Sequence, residues 1–216
     1  MPAGYLAQAL ELARQGAGRT SPNPCVGAVL VNGGEIAGQG FHTWAGVKHA
    51  EILALEQAGE RARGATLYIN LEPCSHQGRT GPCASALIAA GVAKVVAITA
   101  DPNPEVSGRG FDMLRAAGIE VEIDNALESQ AVELNRAFFH FMKTGRPLVT
   151  LKSALTLDGK IAAPDDNSGW ITSERARAHV QTIRHSHDAI LTGVGTVLSD
   201  NPMRSEEHTS ELQSPN

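Results

Sequence analysis

The sequence predicts an α/β protein, because short apolar stretches typical of strands alternate with longer stretches whose apolar residues recur at helical spacing. The chain has 216 residues, of which 42% are apolar and 4% aromatic, and this composition is sufficient for an ordinary buried core. The residues best suited to chemistry stand where predicted strands end and predicted helices begin. Open α/β sheets place their sites at such strand ends.

Composition also excludes some classes of partner. The net charge of −5 argues against a nucleic-acid surface. No apolar run is long enough to span a bilayer, and the first residues lack the pattern of a signal peptide, so we expect no membrane partner. Three cysteines, two of them in a metal-type arrangement, indicate a reducing, cytoplasmic location rather than a disulfide framework.

The elements predicted in the first part of the chain are taken in order. The spacing of apolar residues predicts helices over residues 5–15, 49–57, 83–90, 109–117 and 127–142. Short apolar runs bounded by turn residues predict strands over residues 25–31, 35–40, 66–70, 94–99 and 120–123. The first two strands are joined by a tight turn at Asn32-Gly33-Gly34, which predicts a hairpin.

A turn-rich basic segment, Lys143-Thr144-Gly145-Arg146-Pro147, predicts a domain boundary. We therefore assign residues 1–145 to a first domain and residues 146–203 to a second, incomplete one. In the second, strands are predicted over 148–155 and 189–192, and a helix begins after the N-cap Ser173. Residues 204–216 are interpreted as a non-native tail, because most of that segment matches the in-frame translation of a common sequencing-library adapter.

One stretch predicts a catalytic metal centre. Zinc favours a tetrahedral shell of nitrogen and sulfur ligands, and a catalytic zinc leaves one position open for water. His49, Cys74 and Cys83 supply three such ligands, and Glu51 lies close enough to move the protons of that water. His-x-Glu followed by Pro-Cys and a second cysteine is the signature of zinc deaminases, although here eight residues separate the cysteines instead of two.

Two plainer interpretations of this stretch are a structural zinc and a pair of ordinary core cysteines. A structural zinc requires a fourth protein ligand, for which His76 is the nearby candidate. Other residues are candidates for substrate contacts in the first domain, with ordinary turn or solvated residues as the alternative; they are Asn23, His42, His76, Asp101 and Asn103.

Four segments together resemble one family closely. They are residues 20–27 (Thr-Ser-Pro-Asn-Pro-Cys-Val-Gly), His49-Ala50-Glu51, residues 71–83 (Leu-Glu-Pro-Cys-Ser-His-Gln-Gly-Arg-Thr-Gly-Pro-Cys) and Asp101-Pro102-Asn103-Pro104. The family is that of the bifunctional riboflavin-biosynthesis deaminase/reductases. The resemblance covers residues 1–203, including Leu157-Asp158-Gly159-Lys160 and Gly169-Trp170-Ile171-Thr172 of the second domain.

The resemblance implies a cytidine-deaminase-like three-layer α/β/α domain followed by an N-terminal fragment of a dihydrofolate-reductase-like α/β domain. The first domain would deaminate 2,5-diamino-6-ribosylamino-4(3H)-pyrimidinone 5′-phosphate, with zinc on His49, Cys74 and Cys83 and with Glu51 as proton shuttle. The second would reduce the ribosyl group with NADPH. The positions that match the family's NADP contacts are Ala154, Trp170, Thr196 and Asp200, and those that match its substrate contacts are Ser168 and Arg184.

The family pattern of the second domain continues past Met203 with further contacts, so we expect reductase turnover to be lost in this chain. A homo-oligomer is a further implication of the resemblance. Two rivals remain open: a base or nucleoside deaminase of another pathway, and a zinc-stabilised module without catalysis. Substrate tests with cytosine, cytidine and guanine separate the first, and substitution of Glu51 separates the second.

Overall fold

A computed structural model of the chain describes residues 2–44, 47–75, 81–104, 106–161 and 170–200. The chain divides into two compact units, with the boundary between Val149 and Thr150. Among the described helices, none combines the length and apolar character that crossing a bilayer requires.

The first unit is built around a five-stranded mixed sheet in the order β2-β1-β3-β4-β5. The strands are β1 (Gly27–Asn32), β2 (Glu35–Phe41), β3 (Thr66–Ile69), β4 (Lys94–Ala97) and β5 (Glu120–Ile123). The hairpin β1–β2 is antiparallel, β1 also pairs antiparallel with β3, and β3, β4 and β5 run parallel to one another. The carboxyl ends of the three parallel strands therefore meet at one edge, which is where open α/β sheets place their sites.

Helices cover both faces of this sheet. The helices of the first unit are α1 (Pro2–Arg14), α2 (Ala50–Ala58), α3 (Cys83–Ala90), α4 (Arg109–Ala116), α5 (Glu128–Leu134) and α6 (Arg136–Thr144), with short 3₁₀ turns at Gly59–Ala62 and Asn125–Leu127. Because successive strand residues point to opposite faces, the sheet contributes side chains to two separate hydrophobic cores. One core joins the sheet to α2, α3 and α4, and it includes Leu30, Leu67, Val95, Ala54, Leu87 and Phe111.

The other core joins the sheet to α1 and α5, and it includes Leu6, Leu10, Val29, Tyr68, Val96 and Ala131. Apolar side chains on a sheet face are removed from water only when another layer covers them. Helix, sheet and helix thus form three layers, and the predicted α/β/α architecture of the first domain is confirmed.

The helix predicted over residues 127–142 is interrupted, and that part of the prediction is wrong. At Asn135 the backbone leaves helical geometry, with φ −105° and ψ 22°, so α5 ends and α6 begins there. The side chain of Asn135 is bonded to the backbone of Cys25 instead: Oδ1 accepts from its N–H at 2.7 Å and Nδ2 donates to its carbonyl at 3.0 Å. This long-range contact outweighs the local helical preference.

The second unit contains α7 (Glu174–His185) and α8 (Val194–Asp200). Ser173 caps α7 as predicted, since its Oγ accepts from the N–H of Ala176 at 3.2 Å. The strands predicted over 148–155 and 189–192 do not form among the described residues. A strand is defined by a hydrogen-bonded neighbour, and these apolar stretches instead leave side chains such as Leu151 and Leu191 exposed.

Replacing Gly38 by alanine is expected to destabilise the first unit. A Cβ on Gly38 of β2 would lie 2.1 Å from the carbonyl oxygen of Ala54 in α2, so strand and helix would have to separate. We expect the free energy of unfolding to fall by about 1–3 kcal/mol, the usual effect of overpacking. Urea unfolding measures this change.

Gly4→Ala is the matched control, because a Cβ on this exposed residue of α1 would meet nothing within 4 Å. Alanine favours a helix over glycine by about 1 kcal/mol, so the control is expected to be neutral or stabilised. Equal urea midpoints for the two variants would contradict the close packing of β2 on α2.

Candidate metal centre

Three ligand-type side chains are brought together by the starts of two helices and the end of one strand. His49 is the N-cap of α2, and Cys83 is the first residue of α3. Cys74 follows β3 in the loop that leads to α3. All the ligand atoms of the three residues lie within 4.8 Å of one another, and among the described residues they are the group that could hold a metal ion.

The distances fit a tetrahedral zinc ion. His49 Nδ1 lies 3.2 Å from Cys83 Sγ and 3.7 Å from Cys74 Sγ. Tetrahedral zinc, with Zn–S of about 2.3 Å and Zn–N of about 2.0–2.1 Å, separates its sulfur and nitrogen ligands by about 3.6 Å. The donor set of one imidazole and two thiols is also one that zinc prefers, and the described residues supply three of the four ligands that zinc takes.

The first residues of α3 hold Cys74 in place through two backbone amides. The N–H of Cys83 donates to Cys74 Sγ at 3.3 Å, and the N–H of Ala84 donates to the Cys74 carbonyl at 3.1 Å. These amides belong to the first turn of a helix, where the backbone has no internal acceptor and favours negative charge. The predicted position of Cys83 at a helix start therefore serves the thiolate of Cys74 as well.

The two thiols and the imidazole share protons in the metal-free state. The hydrogen bond with Cys83 lowers the pKa of Cys74 to about 4. The pKa of Cys83 is raised, chiefly because its proton is shared with Cys74, and the hydrogen bond with Cys74 raises the pKa of His49. A thiolate on Cys74 thus faces protons on its two neighbours, which a divalent cation would replace.

Glu51 lies in the first turn of α2, beside this cluster, and its side chain is only 3% exposed. Burial, together with the charge of Cys74, raises the pKa of Glu51 to about 7, and its carboxyl group hydrogen-bonds with the Cys83 thiol. A buried carboxyl with a pKa near neutrality is able both to accept and to release a proton at physiological pH.

Asn23 and His42, both predicted as substrate contacts, form a pair beside His49. Asn23 Nδ2 lies 3.1 Å from His42 Nε2, and the rings of His42 and His49 meet edge to face with centroids 5.3 Å apart. Burial lowers the pKa of His42, so its ring is neutral. The Lys48 carbonyl, 3.3 Å away, can only accept, so Nδ1 carries the proton and Nε2 accepts from Asn23.

Two buried asparagines hold the loop that carries Asn23, and the sequence analysis missed both. Asn70 accepts from the N–H of Gly27 at 2.8 Å and donates to the Cys25 carbonyl at 3.0 Å, and Asn135 binds the same Cys25 backbone. Their sequence positions, a strand end and a helix interior, give no signal of this, because the partners lie 45 and 110 residues away.

The remaining candidates of the first domain lie in one loop after β4. Asp101 is 9% exposed, and its Oδ1 accepts from the N–H of Asn103 at 2.8 Å. This contact is an Asx turn, which is the plainer interpretation considered for the pair. The Asn103 side chain is half-buried. A role in substrate binding stays a prediction for both, and His76 lies outside the described residues.

The candidate reductase residues of the second unit lie on separate segments. Ala154 is half-buried in an irregular stretch, and Arg184 is in the last turn of α7. Trp170 is 79% exposed and lies against the Arg177 guanidinium, 4.5 Å from its ring centroid. Thr196 belongs to α8, as does the backbone of Asp200. Ser168 lies outside the described residues, and the NADP and substrate roles of this set stay predictions.

Removal of any one ligand is expected to abolish stoichiometric zinc binding. We expect about one zinc per chain in the wild type and little in His49→Ala, Cys74→Ser or Cys83→Ser, because two protein ligands hold zinc weakly. Cys25→Ala is the matched control, since Cys25 is also a buried free cysteine but lies outside the cluster. The measurement is the zinc content per chain of each purified protein. Equal zinc content in all four variants would rule out this cluster as the zinc site.

Zinc affinity is expected to fall as the pH is lowered from about 8 to about 6, because His49 and Cys83 must lose protons before they bind a metal. Both pKa values are raised in the metal-free protein, so protons compete more strongly at low pH. Calorimetry in buffers of different ionisation enthalpy measures the protons released for each zinc bound. Binding that releases no protons at the lower pH would contradict these protonation states.

Similarity to known proteins agrees with this geometry. The family described as "Cytidine and deoxycytidylate deaminase zinc-binding region" matches residues 3–99, and the "RibD C-terminal domain" matches residues 147–215. The second match runs into the segment interpreted as a non-native tail, so that interpretation stays a prediction. The first match covers His49, Glu51, Cys74 and Cys83, and the zinc-binding deaminase character of the first unit is confirmed.

Curated relatives extend the similarity over both units. Riboflavin biosynthesis protein RibD of Bacillus amyloliquefaciens is 52% identical over 198 residues, which is 92% of this chain and 53% of that protein. Its counterpart in Escherichia coli (strain K12) is 53% identical over 198 residues, 92% of this chain and 54% of that protein. The chain thus spans about half the length of the curated relatives it matches.

Solved structures support the fold. Acinetobacter baumannii RibD superposes with a TM-score of 0.88 at 49% identity, over 93% of this chain and 56% of that chain. The Aspergillus oryzae Rib2 deaminase, solved in complex with DARIPP, superposes with a TM-score of 0.55 at 26% identity, over 66% of this chain and 93% of that chain. The predicted family is confirmed, and the chain belongs to the RibD family of riboflavin biosynthesis proteins.

Proposed function

We propose that the first unit is the zinc-dependent deaminase of riboflavin biosynthesis. Its reaction would be the hydrolytic deamination of 2,5-diamino-6-ribosylamino-4(3H)-pyrimidinone 5′-phosphate to 5-amino-6-(5-phosphoribosylamino)uracil. The observation that carries this proposal is the buried carboxyl of Glu51 beside the cluster of His49, Cys74 and Cys83. A structural zinc site has no need of a buried proton carrier with a pKa of about 7.

The residues divide the chemistry among themselves. His49, Cys74 and Cys83 would hold the metal, and a zinc ion bound there would supply a nucleophile by lowering the pKa of water to about 7. Glu51 accepts a proton from the attacking water and delivers protons to the ring nitrogen and to the departing amine. Water adds its oxygen to the ring carbon, the carbon–nitrogen bond breaks, and ammonia leaves.

The pair of Asn23 and His42 supports an amide contact of Asn23 with the pyrimidine ring, with His42 orienting the Asn23 side chain. His42 is held as the Nδ1–H tautomer by the Lys48 carbonyl, and Asn23 keeps its Oδ1 for another partner when its Nδ2 donates to His42. The family relationship supports the choice of substrate, and Rib2 deaminase was solved with DARIPP bound. Asp101 and Asn103 would complete the site from the loop after β4.

The second unit supports a proposal of its own, which is NADPH-dependent reduction of the ribosyl group in the whole RibD protein. The match to the RibD C-terminal domain over residues 147–215 supports it. Ala154, Trp170, Thr196 and Asp200 would contact the cofactor, and Ser168 and Arg184 the substrate. This chain spans about half the length of those RibD relatives.

Glu51→Gln is expected to lower kcat for deamination by about 10²- to 10⁴-fold, the usual contribution of a general acid–base. Glutamine keeps the size of the side chain but carries no exchangeable carboxyl proton. Zinc content is expected to stay at the wild-type level, since Glu51 is not a ligand. Ammonia release from the phosphorylated diaminopyrimidinone is the measurement, with zinc quantified in each preparation.

Glu133→Gln is the control with the same substitution, because this glutamate is exposed on α5 and pairs with Arg136 at the surface. It is expected to keep wild-type activity. The same assay with cytosine, cytidine and guanine tests the rival substrates. Wild-type turnover by Glu51→Gln would contradict the shuttle role, and turnover of cytidine in place of the diaminopyrimidinone would contradict the substrate.

A further inference from the structure

Glu72 is a buried carboxylate that the deamination chemistry does not use. It is 4% exposed, and it accepts hydrogen bonds from four backbone N–H groups. Oε2 accepts from Asp101 at 3.1 Å and from Gly108 at 2.9 Å. Oε1 accepts from Gly110 at 2.9 Å and from Phe111 at 3.3 Å. All its partners lie 29 to 39 residues further along the chain.

These amides belong to the beginning of α4 and to the loop before it. Helix α4 has Gly108 as N-cap, with no side-chain cap of its own. The first amides of a helix need acceptors and favour negative charge. The Glu72 side chain, which comes from a distant segment, therefore caps α4 by accepting these hydrogen bonds. Hydrogen bonds to a charged acceptor are about twice as strong as neutral ones, and this carboxylate makes four.

The backbone of Pro73 approaches the same turn of α4 closely. A Cβ added to Gly110 would lie 2.0 Å from the Pro73 carbonyl oxygen and 3.1 Å from Glu72 Oε1. Glycine is therefore required there for the loop after β3 to approach the helix so closely. Glu72 and Pro73 together hold this loop on the first turn of α4.

Cys74 is the next residue, and it is held on its other side by the first amides of α3. The direction of its side chain, and so the position of Sγ relative to His49 and Cys83, depends on both attachments. The amide of Asp101 belongs to the same set of bonds, which ties the loop of Asp101 and Asn103 to the same carboxylate.

We propose that Glu72 is the positioning residue of the metal centre: by holding the start of α4, it fixes Cys74 as a ligand and sets the loop of Asp101 and Asn103 beside it. This inference rests on the proposed metal centre and adds a residue that contacts neither metal nor substrate. The competing explanation is that Glu72 stabilises the fold alone, without particular effect on Cys74.

Glu72→Gln separates these explanations. The amide nitrogen of glutamine cannot accept a hydrogen bond, so two of the four N–H groups lose their acceptor while the side chain keeps its size. Partners that orient metal ligands are typically worth about 10- to 100-fold in metal affinity, and we expect a loss of this size for zinc in competition with a chelator. The cobalt(II)-loaded protein is expected to show a shifted or weakened thiolate-to-cobalt charge-transfer band.

Asn135→Ala is the matched control. Asn135 is buried to a similar degree, at 5% exposed, and also holds backbone groups, but those of Cys25 instead of the loop of Cys74. It is expected to lower the free energy of unfolding while zinc affinity and the cobalt spectrum stay at wild-type values. The measurements use the full chain, and thermal unfolding is recorded for each protein.

An altered cobalt band and weaker zinc binding in Glu72→Gln, with both unchanged in Asn135→Ala, would support the inference. Wild-type affinity and spectrum in Glu72→Gln, or equal losses in both variants, would overturn it. If Glu72→Gln is not recovered folded, Glu72→Asp, which keeps the charge on a shorter stem, is judged by the same criteria. A wild type without any thiolate-to-cobalt band would instead overturn the metal centre, and this inference with it.

Discussion

The site depends on the meeting of two helix starts with the loop that follows one strand. His49 precedes α2, Cys83 opens α3, and Cys74 lies between β3 and α3, so no single segment could present the three ligands. The parallel pairing of β3 with β4 and the close packing of α2 on β2 set these elements in place. Glycine makes that packing possible, because a Cβ on Gly38 or Gly40 would clash with α2.

Burial of polar groups around the cluster has a cost that the protein offsets with specific bonds. An unpaired buried polar group is expensive, and each of these side chains has a partner: Glu51 at Cys83, His42 at Asn23 and Lys48, and Glu72 at four amides. These hydrogen bonds also fix the orientation of the side chains. The site is therefore held by its surroundings before substrate or metal arrives, which is the arrangement that proton transfer and metal binding both require.

The sequence predicted local features well and long-range ones poorly. The strands and helices of the first unit follow from periodicity and turn residues, and the cluster of His49, Cys74 and Cys83 follows from spacing. Asn135 and Glu72 escaped prediction, because their function is to bind backbone groups far along the chain, and no local pattern encodes such a partner. The missing strands of the second unit have the same cause, since pairing needs a neighbour that the apolar pattern cannot supply.

X-ray absorption at the zinc edge on the zinc-loaded full chain tests the central claim most directly, because it reads the ligand set of the metal itself. The account predicts two sulfur ligands and one histidine nitrogen, with the remaining position taken by a light solvent atom. Such a shell combines the three residues of the cluster with an open catalytic position. A shell of four protein ligands, or one with fewer than two sulfurs, would contradict it.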